Sequence, residues 1–223
     1  MPATVSVFKN IIACCLVSLI SGMSHFIFNG KLYEQSAPVI GAANRGLRYG
    51  DGLFETMKMM DGNIIHQADH LERLWNGMDE LQFEKPGLFT KGHLISAIKK
   101  LAAKNKHENA ARIRLNIFRG DGGLFDAVNN KPNYIIETWE LPPSTGLWNS
   151  NGLVAGIYED VKKSCDKISN IKHNNYLPYV MAALKAKREK WNDAIILNQF
   201  ERIADSTIAN IFLVTNGLIQ TPA

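Results

Sequence analysis

Lys172 has the most unusual setting of any reactive side chain in this sequence. It stands after Ile171 in the run NIKHNNYLPYV, just before what the apolar spacing predicts to be a helix over 175–191. A lone lysine is ordinarily a solvated surface charge. Aligned peptide dipoles place partial positive charge at a helix N-terminus, and that field, with burial between two domains, would favour the neutral amine that attacks an aldehyde. His70 and Arg73 open another amphipathic segment as HLERL. They read either as a surface pair at i,i+3 or as an anion site, because an arginine in a first helical turn opposes the dipole unless it has an anion to bind. A phosphate fits that description. Arg112 and Arg114 share the polar face of one strand, directed to solvent or forming a clamp for a carboxylate. Asp205 follows a strand-like run, where an isolated aspartate is more often a turn former than a reactive group.

Periodicity indicates the elements that must hold these residues. FIFNGKLY and LFETMKMMDGNIIH each place apolar runs around Asn-Gly or Asp-Gly, the strongest short hairpin signal. Leu71, Leu74, Trp75, Met78 and Leu81 recur at helical spacing with Asp69 as a candidate cap; Leu94, Ile95, Ile98 and Leu101 do so with Thr90. Ile113, Leu115 and Ile117 alternate with Arg112, Arg114 and Asn116, which predicts a strand with one buried face. Further strands are expected over 134–139, 152–158, 193–198, 210–214 and 218–221, the last two joined at Asn216-Gly217. Pro178 is tolerated in the first turn of the helix over 175–191. LPPSTG, over 141–146, is the densest run of linker residues, so a domain boundary is placed at 142–146.

The 223 residues suffice for one large domain or two small ones. Apolar residues at 46% and charged residues at 21% exclude a disordered tail or a coiled-coil rod. A net charge of +4, without any run of five like charges, favours neither nucleic acid nor a membrane surface as partner. Cys14, Cys15 and Cys165 form no disulfide framework and have no metal-ligand spacing. The apolar stretch from Phe8 to Met23 is too short for an ordinary spanning helix. It reads as the core of an export signal or as the result of a start assigned too early, with Met23 the true first residue.

Taken in order, GLRYGDGLFET, HLERL, RGDGG, IKHNNYLPYV, RIADSTIANIFLV and a closing strand ending in Thr221-Pro222 resemble the class IV aminotransferases, the fold type IV pyridoxal-phosphate enzymes. The resemblance runs from Phe26 to Pro222 and implies an α/β (α+β) two-domain fold. Residues 1–22 would be a leader or misassigned start, 23–141 an N-terminal α/β domain, 142–146 a linker, and 147–223 an incomplete barrel-like cofactor domain. It implies pyridoxal 5'-phosphate as cofactor, no metal, a small amine or amino-acid substrate, a homodimer and a cytoplasmic location. Carried over by motif, Lys172 would bond the cofactor and shuttle a proton, and Arg73 would hold its phosphate. Asp205, where the family has Glu, would keep the pyridine nitrogen protonated, and Asn210 would shape the pocket beside it.

The subfamily marks diverge. Phe54-Glu55-Thr56 departs from the FEG of branched-chain aminotransferases, and RGDGGLFDAV lacks the Arg-x-His of D-amino acid aminotransferases. GDGLFET, RGDGG and IKHNN resemble 4-amino-4-deoxychorismate lyases, which make 4-aminobenzoate and pyruvate on the folate pathway. NYLPYV is closer to the aminotransferases, and Arg114 falls where branched-chain enzymes carry a substrate-binding arginine. The lyase is the first expectation and a branched-chain or other amino-acid aminotransferase the second. A third is an inactive fragment, because family chains continue past the TP strand into a Gly-rich turn that completes the phosphate cup.

Overall fold

The computed structural model describes residues 25–222, so the expected leader at 1–22 lies outside the described residues. Two compact units divide the chain. The described residues up to Pro143, together with Asn170–Asn175, form the first; Ser144–Ser169 and the residues from Tyr176 onward form the second.

In chain order the first unit holds β1 (His25–Phe28), β2 (Lys31–Glu34), α1 (Arg45–Tyr49), β3 (Gly52–Met60), β4 (Asn63–Ile64), α2 (Gln67–Glu80), α3 (Lys91–Lys104), β5 (Ala110–Arg119) and β6 (Pro132–Glu140). The strands make one sheet in the order β2-β1-β6-β5-β3-β4, with every neighbouring pair antiparallel. Both expected hairpin turns form, with positive φ at Asn29 and Gly30 and at Asp61 and Gly62, as a two-residue turn matched to strand twist requires. Along β5 the residues alternate as expected: Ile113, Leu115 and Ile117 are fully buried while Arg112, Arg114 and Asn116 are half-buried. Leu53, Met57 and Met59 of β3 join them in a core shared with Leu71, Leu74 and Met78 of α2 and Leu94, Ile98 and Leu101 of α3. The two helices therefore cover one face of the sheet.

Helix starts in this unit match expectation at α3 and differ at α2. Thr90 caps α3, its hydroxyl accepting from the His93 amide at 3.1 Å. α2 begins two residues before Asp69, after His66, which adopts φ 51° and makes no side-chain cap. Asp69 instead sits in the first turn, where a negative charge suits the dipole. Arg73 is consequently the seventh residue of α2, counting from Gln67, and not in its first turn.

The second unit contains β7 (Ala155–Lys163), α4 (Leu177–Arg188), β8 (Asp193–Asn198), β9 (Ile203–Ser206), β10 (Leu213–Thr215) and β11 (Leu218–Gln220). β7 and β8 pair in parallel and β9 adds antiparallel to β8. Small residues on α4, Ala182 and Ala186, let it lie close over Tyr158, Ala194 and Ile196. β10 and β11 form the hairpin expected at Asn216-Gly217.

The chain passes between units at Pro143, within a short 3-10 turn over Pro143–Gly146. Assigning all of 147–223 to one domain does not hold, because residues 170–175 return to the first unit and extend its sheet. Leu53 pairs with His173 in an antiparallel bridge. The Phe54 amide donates to the Lys172 carbonyl and the Asn174 amide to the Gly52 carbonyl, both at 2.9 Å. Gly52 is gripped from both sides: a Cβ there would meet the Ile117 carbonyl oxygen at 2.2 Å and Asn174 Nδ2 at 2.6 Å. Gly62, at φ +73°, has nothing within 4 Å of a Cβ.

Gly52→Ala is accordingly expected to cost about 2–3 kcal/mol as a small-to-large clash against backbone, and Gly62→Ala only about 1 kcal/mol from left-handed strain. Urea unfolding measures both. Amide exchange in Gly52→Ala should show Asn174 and Phe54 losing protection first, and equal stability losses in the two variants would contradict the gripped edge.

Candidate active site

On β3, parity decides which residues can meet. Successive strand residues point to opposite faces, so Leu53, Glu55, Met57 and Met59 face the helices while Phe54, Thr56 and Lys58 face away. In register, Lys172 lies beside Phe54, Phe54 beside Asn116, and the next row holds Thr56, Arg114 and Glu137. On this face Lys172 Nζ stands 4.8 Å from the centre of the Phe54 ring and the Arg114 guanidinium 4.0 Å from the same ring. An amine and a guanidinium are thus held against one buried aromatic side chain.

The lysine is positioned by strand pairing. α4 starts at Leu177, five residues beyond Lys172 and two beyond the expected start at 175. Arg114 is half-buried, on a face that also holds buried polar atoms: among the described residues, Arg112 Nε and Asn116 Oδ1 have no hydrogen-bond partner. Burial pushes the Glu137 carboxyl up, opposed by the charges of Arg114 and Arg112.

On the helix-facing side Glu55 is 1% exposed and meets two residues of α2. Its Oε1 accepts from Arg73 Nε at 2.7 Å, and its Oε2 accepts from Arg73 Nη2 at 2.6 Å and from His70 Nδ1 at 2.8 Å. A carboxylate only accepts, so His70 carries its proton on Nδ1. Burial alone would push Glu55 up, but the hydrogen bonds from His70 and Arg73, with their charges, outweigh it and hold the carboxyl below its ordinary value. The same hydrogen bond pushes the Arg73 guanidinium further up. His70 and Arg73 are therefore not a simple surface pair.

In the second unit Asp205 lies inside β9, opposite Ile196 of β8, and is not a turn former. Its Oδ2 accepts from Lys163 Nζ at 2.5 Å and from the Tyr179 hydroxyl at 2.9 Å. Burial, followed by the charge of Asp205, pushes the Tyr179 hydroxyl well up. Asn210 is exposed in the irregular segment after β9. Lys172, Arg73 and Arg114 thus belong to one unit, Asp205 and Asn210 to the other.

Sequence reasoning passed over Glu55, Phe54, Lys163 and Tyr179 as site residues. For Glu55 a signal was present: period-2 parity puts it on the apolar face of β3 with Leu53, Met57 and Met59, and a carboxylate there must find partners.

The sequence profile of the family described as Amino-transferase class IV matches residues 52–223. This chain belongs to the class IV aminotransferases. It is 30% identical over 198 residues to a protein of Methanocaldococcus jannaschii provisionally named branched-chain-amino-acid aminotransferase, spanning 87% of this chain and 66% of that one. It is 28% identical over 181 residues to an aminodeoxychorismate lyase of Vibrio harveyi, spanning 80% of this chain and 65% of the lyase. The fold is that of the branched-chain amino acid aminotransferase from Escherichia coli, at a TM-score of 0.77 and 22% identity over 90% of this chain and 67% of that one. The mixed α/β structure is thereby a fold type IV one, and the chain spans about two thirds of the length of these relatives.

Acid should weaken the Glu55 cluster. A carboxyl held below its unfolded value, about 4.5, gives stability that is full above that pH and is lost as pH falls through the native value. Glu55→Gln is expected to cost about 2 kcal/mol near neutrality, less than a fully buried pair because half of the Arg73 side chain is exposed. The gap between wild type and variant should narrow below about pH 4.5, by chemical unfolding at several pH values. A gap that stayed constant into acid would show that Glu55 contributes no charge-dependent stability.

Proposed function

We propose that the protein is a pyridoxal 5'-phosphate enzyme, with Lys172 as its cofactor-bearing lysine, acting as a 4-amino-4-deoxychorismate lyase. The observation that carries the enzyme reading is Lys172 and Arg114 held against the same Phe54 ring. The lyase assignment is supported by GDGLFET, RGDGG and IKHNN and by the likeness to the Vibrio harveyi lyase. An aminotransferase is the second reading, favoured by NYLPYV, the position of Arg114 and the likeness to the Methanocaldococcus jannaschii protein.

The residues present fit that cofactor. Asn116 Oδ1, in the same row as Lys172 and Phe54, is a buried acceptor without a partner among the described residues and leaves that face short of a polar group. Between the bridge at Leu53 and the start of β4 pairing at Met59, β3 residues 55–57 pair with no strand on that edge among the described residues. Lys172 and Arg73 flank this notch from opposite faces, their contacts falling on the successive residues Phe54 and Glu55.

When bound, pyridoxal phosphate supplies an aldehyde that captures amines and a ring that draws electrons from the substrate carbon. Lys172 Nζ would hold that aldehyde, yield it to the substrate amine and take up the proton released from substrate. In a lyase that proton loss would lead to release of pyruvate; in a transaminase Nζ would give back the proton it took. Arg73 holds the phosphate and Arg114 a substrate carboxylate. Asp205 keeps the pyridine nitrogen protonated, with Oδ1 the atom left by Lys163 and Tyr179, and Asn210 shapes the pocket. The reading includes a small-molecule substrate, a homodimer and a cytoplasmic location. No described helix is long and apolar enough to cross a membrane.

Borohydride reduction of the full-length protein with pyridoxal 5'-phosphate, followed by peptide mapping, should place the pyridoxyl group on Lys172; an adduct on Lys162, Lys163 or Lys167 would overturn the assignment. Assays with aminodeoxychorismate, branched-chain amino acids and D-amino acids separate the two reactions. Asp205→Asn should lower turnover far more than cofactor affinity, and Asp205→Glu should be mild. Full turnover in Asp205→Asn would remove the electron-sink role.

A further inference from the structure

Glu55 belongs to the run Phe54-Glu55-Thr56, which sequence reading used only to separate subfamilies. The geometry points to Glu55, assisted by His70, as a positioning residue that aims the free edge of the Arg73 guanidinium at a phosphate group. The inference rests on Arg73 as the phosphate ligand of the proposed function.

The carboxylate engages Arg73 side-on, through Nε and Nη2. Among the described residues Nη1 makes no hydrogen bond, so the Nη1–Nη2 edge, which suits two oxygens of a phosphate, is unspent. His70 Nδ1 and Arg73 Nη2 approach to 3.3 Å because both donate to the same oxygen, which fixes the carboxylate from a second side. Burial is graded in the sense that positioning requires: the Glu55 side chain is 1% exposed, that of His70 19% and that of Arg73 50%. The anchor is inside and the donor edge is at the surface. Arg73 also sits in the second turn of α2, so the helix terminus does not organise an anion there. A free arginine side chain carries about 2 kcal/mol of rotamer entropy, and fixing it beforehand removes much of that cost from ligand binding. Glu55 opposes the guanidinium charge from its far side, while an anion on the near edge is in direct contact, so the attraction prevails.

The test compares pyridoxal 5'-phosphate with pyridoxal, which lacks the phosphate, as ligands of the full-length protein, with dissociation constants from absorbance titration. Glu55→Gln is expected to weaken the phosphorylated ligand about tenfold, the size of a moderate coupling between contacting residues. It should leave pyridoxal unchanged and add nothing in an Arg73→Gln background. An equal loss for both ligands would assign Glu55 a structural role only. A full additional loss in the double variant would make it independent of Arg73, and either result overturns the inference. If Arg73→Gln itself leaves the ratio of the two affinities unchanged, the phosphate reading of Arg73 fails first, and that failure is distinguishable from a failure confined to Glu55. Should Glu55→Gln not fold, His70→Leu is the second variant, with a smaller loss of the same phosphate-selective kind; no selective loss there overturns the inference equally.

Discussion

Two backbone hydrogen bonds, from Phe54 to Lys172 and from Asn174 to Gly52, fix the part of the molecule that carries the candidate site. They make residues 170–175 a short added strand on β3, and so place Lys172 in the same row as Phe54 and Asn116. β3 is then held by β5 on one edge and by this segment on the other, with no room for a side chain at Gly52. Precision comes from pairing geometry here. A lysine on a loop would sample many positions, whereas one paired in register has its Cα set by its neighbours.

β3 also sorts the charges. Phe54 carries Arg114 and Lys172 on one face, and Glu55, the next residue, carries Arg73 and His70 on the other. A one-residue slip would exchange the two sets. Nine paired positions with β5, from Gly52–Phe118 to Met60–Ala110, guard against that slip, because it would move Leu53, Met57 and Met59 of β3 out of the core.

Much of this was legible in the chain. The Asn-Gly and Asp-Gly turns, the alternation of β5, the Thr90 cap and the motif order each follow from local chemistry, and local chemistry is what a sequence displays. The return of 170–175 to β3 was hidden because it is made by backbone groups, which every residue has, so the helix start was drawn too near Lys172. β9 was seen only as a strand-like run: Ile203–Ser206 is too short and half-polar to show a period. The capture of Asp205 by Lys163 and Tyr179 joins three separate elements that no spacing rule connects. Glu55 was different, since its parity on an apolar face could have been read.

The route of the chain bears on how the protein forms. Phe54 and Lys172 touch across 118 positions, 172 minus 54, and everything between them must be made before the pair can close. Ser144–Ser169 leaves the first unit, and the chain re-enters that unit at Asn170, where the lysine segment pairs with the β3 edge. Contacts of such long span carry the loop-closure cost that slows folding. On the ribosome the six-stranded sheet can pair before Lys172 is made, and the segment that carries it arrives afterwards. The candidate site is thus completed after its scaffold, on a sheet edge already built to receive it.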